Sequence, residues 1–346
     1  MNAVVSLARG TDRKETISRA LELISDRIRP GKKIVIKPNF VSTLRPLAAT
    51  HVDAVRAVLD YLRDRHDGPI VVADGASFTD TMEGFRNFGY LPLRDEYGVD
   101  LVDLNRDDWV EVEAYDRKFN PTRLRLSRIL VESDTIISVT PPKTHDTVIV
   151  TLSLKNVIMG GLIRDQSEHS TPGLGRLVSF GLGFIAPPAV RDWPPLQQVK
   201  DWINQRMIRS DKLAMHQGFP AINLSLFKLA QRVRPHLSII DGTVGMEGNG
   251  PIMGKGVNLG VVIASTDFLA ADTLAAYIMG FRIEEIGYLY YCKLAGMGAG
   301  DLSEMEIRGE RVEDCVLPFQ PHQSYRAQLR WRDDRVKGFV PFELPA

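Results

Sequence analysis

Pro141-Pro-Lys-Thr-His-Asp-Thr-Val-Ile-Val-Thr-Leu-Ser-Leu-Lys-Asn156, followed by Met159-Gly160-Gly161, is the stretch whose reading decides the fold. Apolar and polar residues alternate through its second half and β-branched residues dominate, so an extended conformation is expected rather than a helix. Val148, Val150, Leu152 and Leu154 then share one face. Lys143, His145, Thr147, Thr151, Ser153 and Lys155 share the other, interrupted by Ile149. A straight strand from Lys143 to Lys155 would run roughly 40 Å at about 3.3 Å per residue, too long for one site, so a turn is expected near His145 to Thr147. The polar face holds lysines, a histidine and hydroxyls, with Asp146 the one acid and on the opposite parity. Such a face suits a carboxylate, a phosphate or a developing oxyanion. The bland alternative is a solvated strand face with a structural histidine.

Upstream, strands are expected over 3–8, 33–39, 69–73, 100–104 and 135–139, with helices over 11–28, 52–63 and 80–90 between them. Residues 33–39 form a nearly continuous apolar run ending in Lys37, Pro38 and Asn39, the pattern of a strand buried on both faces of a parallel sheet. Thr50 is the expected N-cap of the next helix, beside His51. The strand over 69–73 ends in Asp74-Gly-Ala-Ser77, and the one over 135–139 delivers Lys143 to the same sheet end, where ligands bind in open α/β sheets. Residues 109–115 and 123–126 read as a hairpin at a sheet edge. The glycine-rich phosphate fingerprint is absent from these turns, which argues against a dinucleotide site.

Downstream, glycines and prolines crowd residues 173–195 without periodicity, and the stretch reads as an irregular excursion or lid. A helix is expected over 223–233 and a strand over 237–242 ending in Asp241-Gly242. Gly245 to Gly254 places four glycines around Glu247. Such a loop allows close backbone approach to a ligand, with Gly248 and Gly250 amides as a nest; a tight turn between strands is the alternative. A strand over 258–264 precedes Asp267, the expected cap of a helix over 268–279. Asp272 falls inside that apolar helix and, if buried, needs a hydrogen-bond partner or a raised pKa. A helix over 283–294 and an edge strand over 304–309 follow, and residues past 317 read as a loosely packed tail.

These elements predict an α/β fold of mostly parallel sheets flanked by helices, in two interlocking halves around a central site: 1–160, an excursion over 161–210, 211–316, and a tail over 317–346. The 346 residues carry 43 basic and 43 acidic side chains, a formal net charge of zero, which advertises neither nucleic acid nor an anionic membrane. With only Cys292 and Cys315, the chain alone is not expected to hold an iron–sulfur cluster, and a reduced, cytoplasmic location is the default. No signal peptide or membrane span is expected.

Lys37-Pro-Asn39, Thr50-His51, Lys143-Thr-His145 leading into Thr151-Leu-Ser-Leu-Lys-Asn156 and Gly160, Asp241-Gly242, Glu247-Gly-Asn-Gly-Pro251, and Asp267 with Asp272 together resemble the Domain of Unknown Function 362 family, from about residue 33 to 309. The resemblance implies an α/β protein of poorly established activity, many of whose members are joined to ferredoxin-type iron–sulfur modules. This chain lacks those cysteines, so a redox role would need an external partner.

Two functions are expected from the residues. The first is an enzyme acting on a small anion, with Lys143, His145, Lys155 and Glu247 catalytic. Lys37, Asn39, Thr50, His51, Asp74, Ser77, Thr151, Ser153, Asn156, Asp241, Gly248 and Gly250 would bind substrate. A crowded, desolvated lysine would have a lowered pKa and could act as a base. A metal-assisted variant would use His145 or His216 with Glu247, Asp241 or Asp74, although no pair of His or Cys has ligand spacing. The second is a non-catalytic scaffold for a phosphorylated or iron–sulfur partner.

Overall fold

Short strands with β-branched side chains on both faces can be stable only between two layers of helix. Ile34–Lys37, Thr135–Thr140 and Leu237–Gly242 are buried at every position, and they pair in parallel at the centre of an eight-stranded sheet. The computed structural model describes residues 2–165 and 210–343, so nearly all of the excursion expected over 161–210 lies outside the described residues. Across the sheet the order is Met305–Gly309, Ala3–Arg9, Val261–Ser265, Leu237–Gly242, Thr135–Thr140, Ile34–Lys37, Ile70–Asp74 and Asp100–Asp103. Only Val261–Ser265 runs antiparallel to its neighbours.

Alternate residues of each strand supply the two cores. Ile34, Ile36, Val72, Ile137 and Ile239 pack on one side with the Arg13–Leu23 and Val52–Leu62 helices, through Ile17, Leu21, Val55 and Val58. Val35, Ile136, Ile240 and Ile263 pack on the other with the Ser153–Gly161, Phe219–Ala230, Phe268–Ile278 and Gly287–Leu294 helices. The α/β class with mostly parallel strands flanked by helices is thereby established.

A smaller sheet stands at the carboxyl end of the large one, in the order Lys255–Val257, Gly245–Glu247, Lys143–His145 and Ile149–Thr151. The expected turn is present between His145 and Ile149, but the alternation does not continue as strand past Thr151. Residues Ser153–Gly161 are an α-helix. That helix is buried at every position except Met159, so no polar stripe marks its period and its sequence mimics an alternating strand.

Three further expectations are corrected. Trp109–Tyr115 and Pro121–Ser127 pair as an isolated two-stranded sheet, not on a sheet edge. His51, not Thr50, caps the Val52–Leu62 helix, its Nδ1 accepting the Asp53 amide at 3.2 Å, because the Thr50 hydroxyl is occupied by the Asn39 amide and the Val139 carbonyl. The segment past 317 is docked, not loose: Phe319, Trp331 and Val336 enter the core, and Gln328 donates to the His145 carbonyl at 2.8 Å while accepting the Ile149 amide. Its anchors are spaced irregularly along short helical turns, which hides them from any periodicity. Trp331 is 1% exposed and packs edge-on against Tyr291. Trp331→Ala is therefore expected to lower stability by about 3–5 kcal/mol in urea unfolding, whereas removing a side chain from a loose tail would change it by under about 0.5 kcal/mol.

Candidate functional site

The Ser153–Gly161 helix runs through the interior, so both of its ends need partners from elsewhere. At the amino end, the fully buried Asp272 accepts the Ser153 amide at 2.8 Å on one oxygen and the Leu154 amide at 3.0 Å on the other. At the carboxyl end, Lys212 donates to the Met159 and Gly160 carbonyls at 3.0 Å each and to that of Leu162. An anion at the amino end and a cation at the carboxyl end both oppose the helix macrodipole favourably. Burial raises Asp272 to about 7, against the pull of its two amide bonds.

Lys155 and Asn156 project from this helix toward the carboxyl ends of the parallel strands. Asn156 is fully engaged: its amide donates to the Lys37 carbonyl at 3.1 Å and the Ser138 hydroxyl at 3.0 Å, and its oxygen accepts from Asn39 at 3.0 Å and Lys37 at 3.3 Å. The Asn39 oxygen in turn accepts from Lys143. Lys37 and Lys143 are thus linked through a pair of asparagine side chains.

Four lysines are buried here: Lys37, Lys143, Lys155 and Lys212, none more than 5% exposed. Since an ammonium has three N–H donors, its hydrogen bonds reveal what remains for a ligand. Lys37 uses three, to Asp74, to the Pro38 carbonyl at 2.8 Å and to Asn156. Lys212 uses three on the helix end. Lys143 uses two, to Asn39 and to the Ala48 carbonyl at 2.9 Å. Lys155 makes no hydrogen bond or ion pair with any described residue and is 5% exposed. Thr151, directly across the strand pair from Lys143, has a buried hydroxyl without a partner among the described residues. The unspent polar capacity therefore gathers at Lys155, Lys143 and Thr151, with the second oxygen of Asp74 as a further unpaired buried atom.

Burial shifts each of the four lysines, and His145, toward its neutral form. Burial first, and then the Lys155 charge, bring Lys143 down to about 7. Burial brings Lys155 to about 8 and Lys212 to about 7. For Lys37, burial outweighs its ion pair with Asp74 and lowers the pKa. His145, 3% exposed, is pushed well below the usual histidine range by burial and then by Lys155. Its Nδ1 lies 3.0 Å from the Thr147 amide and 3.1 Å from an Asp146 oxygen; with Nδ1 accepting the amide, the neutral ring carries its proton on Nε2. The turn that sets this ring includes Ile149 at φ 68°, a conformation a β-branched residue rarely adopts, and Gln328 pins it from the C-terminal segment.

Other residues expected at the site are placed apart. Glu247 accepts the Gln320 amide at 2.8 Å, away from the lysines. The Gly248 amide donates to the Gln320 carbonyl at 2.7 Å and the Gly250 amide to the Gly248 carbonyl at 2.9 Å. Both amides are thus spent within the fold, and the glycine-rich segment packs against the Lys143–His145 strand, where a side chain at Gly250 would strike Thr144. Asp241 is saturated by Arg13 at 2.6 Å and by Thr243, with the half-exposed His51 nearby. Ser153 pairs with Ser238 at 2.7 Å and Thr50 braces two strand ends; Ser77 is partly exposed on the loop after Asp74. His216 stacks on His145 with ring centres 6.4 Å apart. Among the described residues, no group of three or more His, Cys, Asp or Glu side chains is placed to hold a metal.

Lys212, Asp272 and Gln328 were absent from the expected site. Asp272 alone left a trace in the sequence, as an acid inside an apolar helix. Lys212 and Gln328 lie in ordinary polar surroundings.

Gly160 is the contact between the two ends of this system, because a Cβ there would overlap the Lys37 ammonium and sit 3.1 Å from Asp74. Gly160→Ala is expected to cost about 1–3 kcal/mol in chemical unfolding, as overpacking does. A second expectation concerns pH. Lys143, Lys155 and Lys212 lose protons in the folded chain near 7 to 8 but only near about 10.4 when unfolded. The unfolded state binds more protons across that window, so stability should rise from pH 7 toward 9.5. Lys143→Met should flatten the slope by up to about 1.4 kcal/mol per pH unit in urea titrations.

A thylakoid-associated protein, sll1697 of Synechocystis sp., is 24% identical to this chain over 266 residues, covering 76% of this chain and 68% of that protein. Among solved structures, the lactate racemase apoprotein of Thermoanaerobacterium thermosaccharolyticum aligns with a TM-score of 0.43 and 13% identity over 81% of this chain, which spans 58% of that one. The family model described as Domain of unknown function (DUF362) matches residues 34–277. That range is well over half of the sequence and contains Lys37, Asp74, Lys143, Lys155, Lys212 and Asp272, and the chain belongs to the DUF362 family.

Proposed function

We propose that this protein is an enzyme whose substrate is a small carboxylate or phosphate, held between Lys155, Lys143 and Thr151 while a proton or group is transferred beside the bound anion. One observation carries the reading: Lys155 is a buried cation with no hydrogen-bond partner among the described residues, next to a second lysine with one donor unspent. A buried, unpaired charge is costly unless something neutralises it, and an anion would do so. Lys143, close to half neutral at pH 7, would serve as the base. The Nε2–H of His145 would donate to developing negative charge. Lys37, Asn39, Asn156 and Asp74 would hold these groups in position.

Burial also favours a small ligand over a scaffold's macromolecular partner, since phosphates on a protein surface cannot reach ammonium groups that are 0% and 5% exposed. A cytoplasmic location, and an external carrier for any redox step, belong to this proposal. No described helix is long and apolar enough to cross a membrane.

Thermal-shift measurements with acetate and with inorganic phosphate test the reading. A ligand at a hundred times its Kd should stabilise by about 2.7 kcal/mol. Lys155→Met should abolish that gain while leaving the unliganded protein folded, since it removes a buried charge that has no partner to lose. A variant stabilised as fully as the parent would place the anion elsewhere.

A further inference from the structure

We propose that Lys155 is a covalent nucleophile, whose side-chain nitrogen condenses with the carbonyl carbon of a small oxo acid while Lys143 and Thr151 hold the carboxylate. This rests on the anion site above and adds the chemical class of its substrate.

A lysine that only balances charge can donate to its ligand through any of its protons, but one that attacks carbon needs a nitrogen free of other duties. The four buried lysines divide sharply on this point. Lys37 and Lys212 have all three donors fixed by protein oxygens. Lys143 has two fixed, and because an iminium nitrogen keeps a single proton, a C=N bond through Lys143 would cost at least one of its bonds to Asn39 and Ala48. Lys155 breaks none. It stands on a helix clamped at both ends, which fixes the base of its side chain. The neutral amine is favoured by burial, against the pull of Asp146. With a pKa near 8, about half the molecules carry the amine at pH 8.

The neighbours match the two functional groups of an oxo acid. The spare donor of Lys143 and the unpartnered Thr151 hydroxyl can take a carboxylate, leaving the adjacent carbonyl for Lys155. The lone pair on the Lys155 nitrogen forms a C–N bond as the C=O π pair moves onto oxygen, which gains a proton while the nitrogen gives one up. The resulting carbinolamine loses its hydroxyl with one proton as water, and a protonated C=N bond remains. The sum is amine plus carbonyl giving iminium plus water after uptake of one proton. Nothing is oxidised or reduced. The proton taken up comes from solvent, and the Nε2–H of His145 can donate a hydrogen bond to the departing oxygen. An iminium then withdraws electrons from the carbon beside it, which is what proton or group transfer next to a carboxylate requires.

The full chain is incubated with pyruvate or glyoxylate in the presence of sodium cyanoborohydride, and the reduced adduct is located by intact mass and peptide mapping. The expected result is one adduct per chain, on Lys155, with a yield roughly tenfold greater at pH 8 than at pH 6.5 as the amine fraction grows. Acetate, which has the carboxylate but no carbonyl, should suppress it. Lys155→Arg should give no adduct yet keep stabilisation by acetate. Adducts spread evenly over surface lysines, an adduct on Lys143, or no adduct while acetate still stabilises the parent would each overturn the imine and leave the anion site standing. No adduct together with no stabilisation by any small anion would overturn both.

Discussion

A helix that passes through the interior cannot leave its terminal amides and carbonyls to water, and the Ser153–Gly161 helix has both ends inside. Asp272 closes the amino end and Lys212 the carboxyl end. Each arrives from a different part of the chain, so the clamp ties the Phe268–Ile278 helix and the residues after 210 to the stretch that follows the small sheet. Lys155 and Asn156 take their positions from this clamp. Because Asp272 and Lys212 are buried and both have pKa values brought to about 7, the same burial that fixes the helix also weakens the charges that fix it.

Four lysine side chains share an interior in which, among the described residues, Asp74 is the single carboxylate bonded to any of them. Desolvating an ion costs several kcal/mol after relaxation, so the arrangement persists only because carbonyl and asparagine oxygens stand in for water. Lys37 and Lys212 are compensated fully in this way, Lys143 in part, and Lys155 not at all by the described residues. This graded series separates the four lysines more cleanly than burial does, since none is more than 5% exposed.

The sequence disclosed the layers well. Runs such as Ile34–Lys37 and Leu237–Gly242 are apolar on both faces and end in polar residues, which identifies both the parallel sheet and the end of it where buried polar side chains gather. Lys37 and Asn39 stand at that end for the same reason, whereas Lys155 and Asn156 reach it from a helix that the alternation disguised as strand. What stayed hidden depends on distance along the chain. The amino end of the Ser153–Gly161 helix is capped by a residue 119 positions later, so no local N-cap marks the boundary and the segment reads as strand. Glu247 and the glycines around it have the composition of an anion-binding loop, yet the Glu247 carboxylate and the Gly248 amide pair with Gln320, whose docking no periodicity announces, and the Gly250 amide pairs with the Gly248 carbonyl.

The placement of the unspent groups follows from which elements can be held still. The glycine-rich segment from 245 to 254 packs its backbone against the Lys143–His145 strand and so stiffens that platform. Gly75 and Gly160 serve the opposite edge: a Cβ on Gly75 would lie 2.5 Å from the Gly160 carbonyl, so the turn after Asp74 can press against the helix end only where side chains are missing. Lys143 projects from a strand, Lys155 from a clamped helix and Thr151 from the strand between them, while Gln328 locks the strained turn that carries His145. Sites on such elements hold their geometry more tightly than sites on loops. An ammonium group with free valences on a support this rigid keeps its orientation before any ligand arrives, and that lowers the ordering cost of binding one.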